Sequence, residues 1–146
     1  MSLDAFISKL QGLEVKAKVV VDQTIKEEAP DANREQLEQG VNADGEPITK
    51  QKIRAGATTY SNGYAKQRRR KGLQTDHIDA KFTGKYHNSI KAKRKGKDYE
   101  LKATDPKANT VEENLGNLVG LNERAVIEVE RALKTELEAL MIKELA

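Results

Sequence analysis

The chain has no cysteine and no tryptophan among its 146 residues, only three prolines, and 4% aromatic residues. Zero cysteine removes disulfides, thiolate metal sites and a cysteine nucleophile together, and is compatible with a reducing cytoplasm. No apolar run approaches the roughly 18 residues that a bilayer-crossing helix needs. The N-terminal Met1-Ser2-Leu3-Asp4-Ala5-Phe6 lacks a basic flank before an apolar core, so the expectation is a soluble, unexported protein without a membrane partner. With two Phe and four Tyr, the core must come mostly from Leu, Ile, Val and Ala. Such a core is thin, and burial against a partner is expected to supplement it. The length suits a single domain over residues 1–146.

Charge is what the chain has in abundance, and it is segregated. Residues 1–49 carry five basic and ten acidic side chains, residues 50–97 fifteen and two, and residues 98–146 six and eleven. A middle third of net +13 between two thirds of net −5 points to contact with nucleic acid or to charge-complementary stacking of identical subunits.

Periodicity predicts an N-terminal helix over 1–28, because Phe6, Leu10, Leu13, Ala17, Val20, Val21 and Ile25 recur every three or four residues. Pro30 should end it, with Asp31 capping a second short helix over Ala32–Gln39 and Gly40 closing that one. Residues 40–59 hold Asp44-Gly45 and Gly56 and little apolar material, which reads as a mobile loop. A basic helix is expected over 60–72, with Tyr60, Tyr64 and Ala65 on one side and Lys66, Arg68, Arg69, Arg70 and Lys71 projecting.

Over 78–103 the sequence reads as strand, Thr-Gly corner and hairpin. Ile78, Ala80 and Phe82 alternate with Asp79 and Lys81 at the period of a half-buried strand. Thr83-Gly84 tolerates a turn with positive φ, after which Tyr86, Ser89 and Ile90 share a helical face while Lys85, His87 and Asn88 face away. Lys95-Gly96-Lys97 then joins two strands whose buried face is Ile90, Ala92, Tyr99, Leu101 and Ala103. Pro106 starts a helical turn docked by Val111, Leu115 and Leu118. A C-terminal helix over 122–145 is capped by Asn122 and carries Val126, Val129, Leu133, Leu137, Leu140 and Met141. The fold class is therefore α+β: a small antiparallel β-sheet from Val41–Ile48, Ile78–Phe82 and Ile90–Ala103, packed against long N- and C-terminal α-helices.

No constellation for chemistry emerges. His77 and His87, with Asp76 and Asp79 nearby, match no metal-ligand spacing and lie beside no nucleophile. Gly56 belongs to no phosphate-cradling sequence. Catalytic residues, cofactor and metal are all read as none. The candidates are basic: Arg68, Arg69, Arg70 and Lys71, then Lys91, Lys93, Arg94 and Lys95. Closely spaced cations suit sequence-independent contact with phosphates, and equally suit a solvated face or an interface with acidic helices. The tyrosines read as core or interface anchors before base-stacking platforms.

Four blocks, in order, resemble one family. They are Asn42-Ala43-Asp44-Gly45-Glu46-Pro47-Ile48, Tyr60-Ser61-Asn62-Gly63-Tyr64-Ala65-Lys66, the strand, corner and turn of Ile78–Ile90 with Phe82-Thr83-Gly84 and Ser89-Ile90 at its corner, and Asn117-Leu118-Val119-Gly120-Leu121-Asn122. Together they resemble the neck and tail-completion proteins of tailed bacteriophages, the virion-morphogenesis group, over roughly two thirds of the chain. The resemblance implies a structural virion protein rather than an enzyme, assembled in the host bacterial cytoplasm. Its expected partners are copies of itself in a ring, portal-proximal connector and tail proteins, and double-stranded DNA passing without sequence-specific contact. It also implies that the 40–59 loop and the hairpin meet neighbouring subunits. A freestanding nucleic-acid-binding protein is the alternative that the basic middle third keeps open.

Overall fold

A computed structural model describes residues 2–146 and shows an α+β chain of five helices and two strands. In order they are α1 (Leu3–Glu38), α2 (Asn62–Arg70), α3 (Lys85–Asn88), β1 (Ile90–Lys95), β2 (Asp98–Ala103), α4 (Ala108–Leu115) and α5 (Glu123–Leu145). The long terminal helices and the small antiparallel sheet are as the sequence predicts.

The N-terminal region departs from expectation. Pro30 does not end the first helix, which runs unbroken through it for 36 residues, about 54 Å at 1.5 Å per residue. Interior proline costs a hydrogen bond and about 3 kcal/mol. Here Ala29, Pro30, Ala32, Asn33, Gln36 and Leu37 are all buried in the same stretch, and that packing offsets the penalty. Two of these are polar, and in each both the amide nitrogen and the amide oxygen are hydrogen-bonded. The Asn33 side chain donates to the Leu118 carbonyl at 3.0 Å and accepts from Gly120 N at 3.0 Å. Gln36 donates to the Asn42 and Gly120 carbonyls and accepts from Asn122 N. Together they fasten the 117–122 turn to α1.

The helix stops at Gly40, whose φ of +80° suits glycine alone; an added Cβ would also lie 2.6 Å from the His77 ring. The following segment is irregular, as read, but its first half is tied down. Asn42 Oδ1 accepts from Asp44 N and Glu46 N, Ala43 N donates to Asn117 O, and Ile48 is buried.

The sheet is smaller than the sequence pattern implies. Among the described residues only β1 and β2 pair, in a register that sets Ile90 opposite Ala103 and Ala92 opposite Leu101. Val41–Ile48 contributes one isolated bridge, Val41 with Pro47. Ile78–Phe82 is not a strand, because Ala80 takes a φ of +56° and breaks the extended geometry. The alternation fails with it: Asp79 is buried and Phe82 is partly exposed. The hairpin's buried side is the expected one, and it lies on α1.

Two apolar clusters result. The larger joins Leu37, Ile48, Tyr60, Ile78, Tyr86, Ile90, Leu115 and Leu118 in a body built from the C-terminal part of α1, the loops, α2, α3, the hairpin base and α4. The smaller packs Ala29 and Ala32 of α1 against Ala125 and Val129 of α5, with Leu133 half-buried beside them. Asn122 caps α5 through Ala125 N, as its sequence position predicts. Because Lys16 pairs with Glu144, α1 and α5 run antiparallel, forming a two-helix arm N-terminal to Asp22 in α1.

Candidate functional site

The first basic candidate, Arg68, belongs to the core. It sits one turn after Tyr64 and three residues after the buried Ala65, so it shares their inward face; it is 1% exposed. Its guanidinium donates to the Gln74 carbonyl at 3.0 Å, the Lys81 carbonyl at 2.7 Å and both oxygens of Asp79 at 3.1 Å. It also stacks 4.2 Å from the centre of the Tyr60 ring. The expectation that Arg68 projects toward a partner is therefore wrong.

Asp79 is the hub. Its carboxylate accepts from Tyr60 Oη at 2.8 Å, Gln74 Nε2 at 2.8 Å and Lys81 N at 2.9 Å, besides Arg68. Tyr60 in turn accepts from Asp79 N, and burial pushes its phenol pKa well above the ordinary value. The left-handed turn at Ala80 lets the Asp79 carboxylate and Lys81 N meet. A buried charge pair so completely hydrogen-bonded specifies one geometry for the segment between α2 and α3.

His87 completes this inner layer rather than facing away. Its Nε2 lies 2.7 Å from the Asp79 carbonyl, to which Nε2–H donates, leaving Nδ1 buried without a partner among the described residues. Burial lowers its pKa below the ordinary imidazole value, disfavouring the charged ring. His77 lies elsewhere, with Nε2 2.6 Å from the Glu38 carbonyl, so the two imidazoles act on separate backbone segments. Arg34 secures the end of α3 from outside, donating to the His87 and Ile90 carbonyls at 2.8 and 3.0 Å.

The corner residues divide between surface and core. Gly84, at φ +85°, opens α3, and Ser89 Oγ donates to the Tyr86 carbonyl at its end; Ile90 is fully buried. Thr83 Oγ1 is 3.4 Å from Lys85 N. Phe82 joins Tyr60 and Tyr64 in an aromatic triad with ring centres 5.3 to 6.4 Å apart. The triad lines an open apolar groove of about 310 Å³ with Ile53, Val111 and Leu115. Tyr86 is buried, as an anchor should be, with its hydroxyl donating to Glu112 at 3.0 Å. Burial raises its pKa as well.

The remaining cations are exposed but not gathered. Arg69, Arg70 and Lys71 lie at the C-terminal end of α2, where they complement the helix dipole. Lys91, Lys93 and Lys95 lie on the outer face of β1, and Arg94 lies on the α1 side, opposite Tyr99. The two groups stand on different supports: α2 is held by the 74–81 segment and the hairpin by α1.

The largest uncovered feature was not legible as a site. Of the thirteen exposed large hydrophobic side chains among the described residues, nine lie on the arm: Leu3, Phe6, Ile7, Leu10, Val15 and Val19 in α1, and Met141, Ile142 and Leu145 in α5. Leu3, Phe6, Ile7 and Leu10 continue the seam of Leu13, Ala17 and Val21, the helical face that α5 covers further along. Their 3-4 spacing was visible, but spacing does not reveal which part of a stripe is left uncovered. Among the described residues, no helix is long and apolar enough to cross a membrane and no three His, Asp or Glu side chains converge as metal ligands. No family model, curated protein or solved structure matches this chain.

Proposed function

We propose that this chain is an assembly subunit: a structural virion protein of a tailed phage, forming part of a ring at the head–tail neck or tail-completion junction around the DNA channel. One observation carries the reading. A stable body holds out a two-helix arm that concentrates most of the exposed large hydrophobics, a distribution that marks a protein–protein contact surface. The order of sequence blocks from Asn42 to Asn122 supplies the family, and the best-organised polar cluster, around Asp79, is consumed in holding the fold.

The reading is tested by replacing Phe6 and Leu10 with Glu and following the chain into particles. The variant folds as the parent does by circular dichroism, yet is absent from purified particles, which accumulate as unjoined heads and tails. Normal incorporation with normal joining overturns the proposal. The second reading, a freestanding nucleic-acid-binding protein, draws on the exposed Arg69, Arg70 and Lys71, none of which forms an ion pair among the described residues. It requires tight, salt-sensitive duplex binding by the isolated chain, whereas the ring subunit binds duplex weakly until the ring closes.

A further inference from the structure

We infer that the outer face of the β1–β2 hairpin docks on the acidic outer stripe of α1 in a second copy of this chain. The inference rests on the assembly role proposed above and names the surfaces that would meet.

The hairpin's inner face is taken up by α1, so its outer side chains, all exposed, point away from the rest of their own chain. On that face the register sets Lys91 directly opposite Lys102, a like-charge pair that is unfavourable in an isolated sheet. Lys93 follows on the same face. Its cross-strand partner is Glu100, whose carboxylate lies 4.0 Å from the Lys95 amine. Lys91, Lys93 and Lys102 have no ion-pair partner among the described residues. The α2 cations differ, since a helix C-terminus gives them a local reason to be there.

The matching surface is on α1. Glu27, Glu28, Asp31 and Glu35 recur on one exposed face over two turns. Asp31 is paired with Arg34, but Glu27, Glu28 and Glu35 have no ion-pair partner among the described residues. Like charges at this spacing repel, and the last turn of α1 contains no basic residue to balance the helix dipole. Each surface thus carries an excess of one sign of charge, and each is what the other lacks.

The spacings agree. Lysines at i and i+2 on a strand stand about 6.7 Å apart, and carboxylates one turn apart on a helix about 6 Å apart. One chain cannot make the contact with itself, because the two surfaces lie on opposite sides of the hairpin–α1 packing. Two different patches meeting between copies is a head-to-tail contact, the kind that closes into a ring or extends into a filament.

The experiment is zero-length carbodiimide coupling of the full chain, which joins a lysine amine to a carboxylate only at ion-pair distance. Wild-type protein at low ionic strength should yield dimers and higher multiples whose coupled peptides join the hairpin to the 27–35 stretch of α1. Their yield should fall at least tenfold at about 0.5 M salt. Two triple variants follow, both at exposed positions: Lys91→Glu with Lys93→Glu and Lys102→Glu, and Glu27→Lys with Glu28→Lys and Glu35→Lys. Each alone should give only monomer; mixed, they should couple again, because each supplies the sign the other needs.

Wild-type monomer throughout, multimers persisting in either variant alone, or no rescue on mixing each overturns the inference. So does a hairpin variant that couples normally but loses duplex DNA binding, which would assign these lysines to nucleic acid. Particle incorporation separates the two proposals. A hairpin variant that enters particles normally sinks this contact and spares the assembly role; coupling in a chain that never enters particles does the reverse.

Discussion

The body and the arm of this protein solve the same problem with different means. In the body, buried polar groups are answered within the chain: Asp79 by Arg68, Tyr60, Gln74 and Lys81, and Asn33 and Gln36 by the backbone of 117–122. In the arm, two helices meet along a narrow seam, the ties are exposed ion pairs such as Lys16 with Glu144, and Leu3, Phe6, Ile7 and Leu10 remain exposed. Exposed pairs contribute little to stability. The contrast shows that self-sufficiency and surface apolarity are segregated: the body is built to fold, and the arm gains by being covered.

The sharpest break of that contrast is at the hub. Asp79→Ala strands the Arg68 guanidinium in the core and should cost about 3 to 5 kcal/mol, read as a lowered midpoint in urea. A loss below about 1 kcal/mol would show that the body does not depend on this pair.

Next come paired truncations of equal chemistry. Leu37→Ala, at a fully buried position, should cost about 2 to 5 kcal/mol. Leu10→Ala on the arm should stay within about 0.5 kcal/mol in the isolated chain. Leu133 falls between them: half-buried beside Val129 rather than central to the core as its sequence position implies, its truncation should cost about 1 to 2 kcal/mol. Equal losses at Leu10 and Leu37 would erase the distinction between body and arm.

Hydrogen exchange sharpens the boundary within α1 itself. Amides before Asp22 should exchange by local opening, well ahead of those from Ala29 to Glu38, which should exchange only with the body. Uniform protection along the helix would mean that the arm is as firmly held as the core.

The smallest effect is in pH. Burial depresses the pKa of His87, so the unfolded chain takes up a proton that the folded chain resists. The contribution of His87 is complete above the ordinary imidazole range near pH 6.5 and is lost as pH falls below it. The urea midpoint should decline from pH 7 toward pH 5, and His87→Gln should flatten the part of that decline due to this ring. An unchanged slope in the variant would place the pH dependence elsewhere.

What the amino-acid order determined by itself is local. The hairpin and its buried face follow from alternation around Lys95-Gly96-Lys97, the α5 cap from Asn122, a helix stop at residue 40 from Gly40, and the absence of thiol chemistry from composition. What only tertiary structure decided is where long-range burial overrules a local rule. Pro30 stays inside a helix because its neighbours are packed, and Arg68 turns inward because Asp79, eleven residues away, answers its charge. Ile78–Phe82 gives up its strand geometry at Ala80, which leaves Asp79 placed to accept from Lys81 N. Periodicity reports which face of an element is apolar, but the covering of that face depends on elements distant in sequence. The seam of α1 is therefore one stripe in the sequence and two surfaces in the fold, closed beside α5 and open at Leu3 to Leu10.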